Sequence, residues 1–134
     1  MMDFSMINWW AVLACFAFSM VSGAIWFGPK TFFPVWWQAI GKEGSEPAGM
    51  TSTWILLILA SLIQAVFTVV VITSLGAKTA GSGMLVGFFL WLGFVATTGL
   101  TNKLFANQIK AWLIETGNHL INFLIFGAII GGWS

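Results

Sequence analysis

The chain alternates long apolar runs with short polar breaks. Four apolar segments stand out, at about 8–28, 53–75, 83–102 and 111–133. Each is close to the roughly 20 residues that a helix needs to cross the hydrocarbon of a bilayer. Every backbone amide and carbonyl in lipid must be paired within its own segment, so these runs are expected to be helices. The expected fold is therefore all-α: a single four-helix transmembrane domain over residues 1–134. Tryptophans stand near several segment ends, at Trp9, Trp10, Trp26, Trp54, Trp112 and Trp133. That is the expected aromatic belt at the membrane–water interfaces. Trp91 falls inside the third segment and reads as a packing residue.

The breaks differ in character. A tight Gly/Ser/Thr turn around 76–82 joins the second and third segments, and a polar stretch over 103–110 joins the third and fourth. The first break is longer. In it Phe32, Phe33, Trp36, Trp37 and Ile40 recur at helical spacing beside Lys30, Gln38 and Lys42. This predicts a short amphipathic helix in the headgroup layer, with Trp26, Phe32, Phe33, Trp36 and Trp37 as an interfacial aromatic surface. Residues 41–50, rich in Gly, Ser, Glu and Pro, read as a solvated loop.

Composition agrees with the pattern. The 134 residues are 59% hydrophobic and only 7% charged, against about 25% charged in soluble domains. A net charge of +1 gives no reason to expect a nucleic-acid partner. The N-terminal run has Asp3 where a signal peptide carries basic residues, so it is expected to be a retained helix. The lone cysteine, Cys15, lies in an apolar run and reads as a small packing residue. Lys30, Lys42, Lys103 and Lys110 fall on one side of a four-helix topology and Lys78 on the other. The positive-inside rule then puts both termini outside the membrane.

Two sets of residues carry possible function. Small residues recur four apart in the first segment (Ala11, Cys15, Ser19, Gly23), the third (Gly83, Gly87) and the fourth (Gly127, Gly131). Such spacing lets helix backbones approach closely, within the chain or between copies. The second set is a polar row, Glu115, Asn118, His119 and Asn122, on one face of the last segment. Ionisable groups at this depth are costly and are functional candidates. Gln64 on the second segment and Thr97 and Thr101 on the third are possible partners across the bundle. His119 lies about 10 Å along the helix from Trp112, and residues 123–130 are apolar apart from Gly127. The row thus resembles a one-sided vestibule more than a through-channel.

Three readings fit the row. It can be structural glue, with Glu115 paired to His119 or a lysine and the asparagines bonded across helices. It can be a relay for a proton or solute, since histidine titrates near neutrality. It can be two ligands of a metal, but no third His, Cys or Asp is nearby in sequence, so no metal is expected. No nucleophile–base spacing, phosphate loop or cofactor motif appears, so neither an enzyme nor a cofactor is expected.

The run Gly23-Ala-Ile-Trp26-Phe-Gly-Pro29, with Phe33 and Trp36, resembles a motif of a small bacterial membrane family known as domain of unknown function 1761. Trp91-Leu-Gly-Phe-Val-Ala-Thr97-Thr98 with Asn102 and Phe105 resembles that family's third helix. Gly117, His119 and Gly127-Ala-Ile-Ile-Gly131-Gly-Trp133 resemble its last. The likeness covers nearly the whole chain. It implies a stand-alone four-helix protein of the bacterial inner membrane and brings no activity with it. Phe27 stands where the family commonly has tyrosine, so no phenol hydroxyl acts there.

The leading expectation is a small transport or permeation protein, a homo-oligomer in contact with membrane lipids. Glu115 and His119 would be its titratable centre, and Gln64, Thr97, Thr101, Asn118 and Asn122 its lining. The rival is a lipid-binding or accessory subunit of a larger membrane complex. There the aromatic surface and the ridges at Gly23, Gly87, Gly127 and Gly131 make the contacts, and the polar row is glue.

Overall fold

A computed structural model describes residues 4, 5, 7–42 and 51–133. Most of the loop expected at 41–50 lies outside the described residues. The helices are α1 (Trp9–Trp26), α2 (Phe33–Ala39), α3 (Thr51–Ser74), α4 (Ala80–Leu90), α5 (Thr97–Leu104) and α6 (Ile109–Trp133). A π-helical stretch, Trp91–Ala96, joins α4 to α5 without a break. Among the described residues, four helices are long and apolar enough to cross a membrane: Trp9–Trp26, Thr51–Ser74, Ala80–Leu104 and Ile109–Trp133. Successive spans run in opposite directions. The end of α1, the start of α3, the end of α5 and the start of α6 therefore share one side, the lysine-rich one.

Local chemistry sets the helix ends. Asn8 caps α1 by accepting the Ala11 amide, and Thr79 and Ser82 close a reciprocal capping box at the start of α4. Three helices end in the same left-handed turn. Gly41, Gly76 and Asn107 have φ of 83°, 78° and 58°. In each case the following amide reaches back to a carbonyl of the last turn: Lys42 to Trp37, Ala77 to Ile72 and Gln108 to Lys103. Glycine adopts this backbone freely, and asparagine tolerates it.

Helix α6 is the hub, touching every other helix. Its contact with α4 is backbone on backbone. A methyl group on Gly83 would overlap the Gly127 carbonyl, one on Gly87 the Phe123 carbonyl, and one on Gly131 the Thr79 carbonyl. Only glycine permits this approach, which replaces lipid contact with dense dispersion contact. On the other side of α6, Ala11, Val12 and Cys15 of α1 pack with Ala65, Val69 and Ile72 of α3 and with Phe126 and Ile130. The small-residue ridge of α1 is thus buried through Ser19. It stops there: nothing lies within 4 Å of where a Gly23 side chain would begin, so the expected close packing at Gly23 is not made. The first ten residues of α3, 51–60, are all exposed, and its buried positions begin at Ala65.

Candidate functional site

The polar row of α6 divides into two hydrogen-bonded groups. Glu115 forms the first, at the lysine-rich end. Its Oε2 accepts the Trp36 indole N–H at 2.7 Å and lies 3.3 Å from the Lys103 ammonium. Lys103 also donates to Gln108 Oε1 at 3.4 Å. One carboxylate oxygen therefore ties together α2, α5 and α6. Glu115 and Lys103 are about a quarter exposed, at 27% and 22%. Screening at that depth limits the pair to roughly 1 kcal/mol.

The second group lies deeper. Asn118 Nδ2 donates to Ser22 Oγ at 3.2 Å, and the Ser22 hydroxyl donates to Asn122 Oδ1. Asn122 Nδ2 closes the circuit on Asn118 Oδ1 at 3.4 Å. Each member gives one bond and takes one, and each asparagine keeps a second amide N–H outside the ring. Bonds arranged in a cycle polarise one another. Asn118 and Asn122 are 5% and 4% exposed, so their amides are hidden from lipid.

Three indoles add a separate network. Trp26 donates to the Ile114 carbonyl at 2.8 Å, Trp91 to the Thr116 carbonyl at 3.0 Å and Trp112 to the Ala96 carbonyl at 2.9 Å. Trp26 and Trp112, expected in the interfacial belt, turn their polar ends into the bundle instead. Ala96 closes the π-helical stretch, and the Trp112 indole supplies a donor to its carbonyl. Within the same stretch the Thr97 hydroxyl donates to the Gly93 carbonyl.

His119 lies between Asn118 and Asn122 along α6 but makes no bond to either group. Its Nδ1 is buried, and among the described residues it is the one buried side-chain nitrogen or oxygen without a hydrogen-bond partner. The other expected lining residues do not gather around it. Thr97 and Thr101 face outward and return their hydroxyls to Gly93 and Thr98 of their own helix. Gln64 is half-buried on α3, where its carbonyl takes the Thr68 hydroxyl. A shallow open groove of about 510 Å³, lined by Ala14, Ala128, Ile129, Gly132 and Trp133, lies at the opposite end of the bundle.

A short helix forms over Phe33–Ala39, where an amphipathic one was expected; of the expected aromatic surface Phe32 is exposed, Phe33 and Trp36 are half-buried, and Trp37 is buried in the bundle. Phe27 meets Trp36 edge-on at 5.0 Å, Trp26 lies 4.7 Å from Phe32, and Phe33 stacks on Trp37 at 5.3 Å. Two residues that sequence reasoning passed over complete the site, Ser22 and Lys103. Ser22 lies one turn before Trp26 on the same face of α1, and both reach α6. A lysine partner for Glu115 is among the expectations, but in the sequence Lys103 itself marks only membrane sidedness.

Four spanning helices, with a polar row on the last whose deeper amides are buried, define a small four-helix integral membrane protein. The chain belongs to the family described as Protein of unknown function (DUF1761), whose model matches residues 10–131. No curated protein and no solved structure matches it.

Proposed function

We propose that this protein is a lipid-binding accessory protein of its membrane, working through the aromatic, lysine-flanked surface at the α2 end. The observation that carries the reading is the self-closure of the deep polar group. Asn118, Ser22 and Asn122 bond to one another rather than to groups further along the bundle. Beyond them Phe123, Phe126 and Ile130 are buried at 5%, 0% and 3% exposure, beside the glycine contacts with α4. The tight packing there supports reading the bundle as closed to a solute entering at Glu115.

The proposed working surface has the opposite character. Lys30 and Lys42 stand exposed at either end of α2. Phe32, Val35 and the fully exposed Phe105 lie at the same membrane boundary. Apolar rings below and ammonium groups above suit an interfacial helix lying among phosphate headgroups.

The test is native mass spectrometry of protein equilibrated with phosphatidylglycerol or phosphatidylcholine. Preferential retention of phosphatidylglycerol, lost in a Lys30→Gln/Lys42→Gln variant, is the expected result. Equal retention of both lipids by both proteins would overturn the reading.

A second reading, proton or solute permeation by a homo-oligomer, is favoured by one observation, the unpaired Nδ1 of His119. It requires flux in proteoliposomes that Glu115→Gln abolishes. The accessory reading expects no flux from either protein.

A further inference from the structure

Helix α3 carries a polar group that its own chain leaves unanswered. Gln64 stands about 20 Å along the helix from Thr51 and about 15 Å from Ser74, near the middle of the span. Hydrocarbon surrounds a lipid-facing side chain at that depth. Gln64 is half-buried, and the Thr68 hydroxyl goes to its backbone carbonyl. Among the described residues its side-chain carboxamide makes no hydrogen bond. Asn118 and Asn122 differ in this respect, since they bond one another and Ser22. A carboxamide left bare in hydrocarbon is strongly unfavourable.

The residues around Gln64 form a seam. Thr53, Leu57, Ala60, Gln64, Phe67 and Val71 are spaced 4, 3, 4, 3 and 4 apart. That repeat keeps one face of a helix against a second helix. It is a different face from the one that packs within the chain, where Ala65, Val69 and Ile72 join the core. Thr53, Leu57, Ala60 and Phe67 are exposed. Phe4 of the same chain meets Phe67 edge-on at 5.8 Å and borders the seam toward its Ser74 end. Ala60 is small, so a neighbouring helix can come close enough at that level for the carboxamide to reach it.

We propose that two copies of this chain pair along α3, with the Gln64 carboxamides of the two copies bonded to each other in the middle of the membrane. The chemistry of the group selects this occupant. A lipid chain has neither donor nor acceptor. A carboxamide has both, so each amide N–H can donate to the other copy's oxygen. Copies of one membrane protein share one orientation, so a twofold axis along the membrane normal sets each residue opposite itself at equal depth. A single polar residue in an apolar seam also fixes the register, since sliding would strand both amides. The pairing lies on α3 and is independent of the lipid reading of α2.

The test uses the full chain in bilayers of phosphatidylethanolamine and phosphatidylglycerol. With Cys15 replaced by alanine, Lys78→Cys carries a donor or an acceptor dye, and energy transfer is followed as the protein is diluted with lipid. The parent should dimerise. Gln64→Leu should raise the dissociation constant about ten-fold, the scale of hydrogen bonding between membrane helices. Leucine is close to glutamine in size and suits lipid, so the fold is retained. Gln64→Asn keeps a carboxamide and should pair more tightly than Gln64→Leu.

A second measurement leaves Gln64 untouched. Ala60→Cys and Ile63→Cys, each with Cys15 replaced by alanine, are oxidised with copper phenanthroline in native membranes. Both positions are exposed, and of the two only Ala60 lies in the seam. Ala60→Cys should give a disulfide-linked dimer and Ile63→Cys should not. A monomer at every dilution would overturn the proposal. So would a Gln64→Leu protein that pairs as tightly as the parent, or cross-linking at Ile63→Cys in place of Ala60→Cys.

Discussion

Gly83 and Gly127 meet backbone to backbone, so that a methyl group on either would overlap the other's carbonyl oxygen. A membrane offers little hydrophobic gain for helix association, so close approach of this kind has to supply much of it. Gly83→Ala and Gly127→Ala should each destabilise the protein by about 1–3 kcal/mol or more, the range for forced overpacking. Gly23→Ala should leave stability unchanged or raise it by about 0.5 kcal/mol, since open space surrounds that position. Reversible unfolding in mixed micelles measures all three. Equal effects at Gly23 and Gly127 would show that the contact does not carry the packing.

The Trp112 indole meets the carbonyl of Ala96 at 2.9 Å, where the π-helical stretch ends. Trp112→Phe should cost about 1 kcal/mol and speed amide exchange in residues 91–104 before any other span. Uniform exchange along the third span, unchanged from the parent, would mean that the carbonyl needs no such donor.

In the ring of Ser22, Asn118 and Asn122 each bond orients the next. Asn118→Ala and Asn122→Ala should each cost about 1 kcal/mol. The double variant should cost less than the two together, because the first substitution already opens the ring. Strict additivity in a double-mutant cycle would show that the three groups act as separate pairs.

The lysine asymmetry makes a statement about sidedness. With Cys15 replaced by alanine, a cysteine at Lys78 should react with a membrane-impermeant maleimide on intact cells. One at Lys110 should react only after permeabilisation. The reverse pattern would invert the topology and place both termini inside.

What the sequence made legible follows from how lipid acts on a chain. The four spans are written in hydropathy, because bilayer thickness sets their length and backbone pairing sets their helical form. The rotation of each helix about its own axis is not written there, because lipid accepts any apolar face. Gly23 and Gly87 therefore look equally suited to packing by spacing, and only the second meets a neighbouring backbone. Thr97 and Thr101 look like lining and face outward, since a threonine hydroxyl can return to a carbonyl of its own helix. Ser22 was passed over because one hydroxyl in an apolar run gives no sign of amides waiting on a helix 96 positions further along. Lys103 was passed over because a lysine at a span end is ordinary. The π-helical stretch has no mark in Trp-Leu-Gly-Phe-Val-Ala that distinguishes it from α-helix.

The ring on α6 also bears on how the protein is made. Asn118 and Asn122 place their amides against Ser22, and Ser22 belongs to a helix synthesised earlier. Helix α6, made after α1, thus carries the groups that lipid tolerates least, and its partner is by then already in the membrane. Insertion of α6 is expected to be completed by docking on α1 rather than by hydropathy alone. A chain lacking α1 should hold α6 in the insertion machinery or release it for proteolysis.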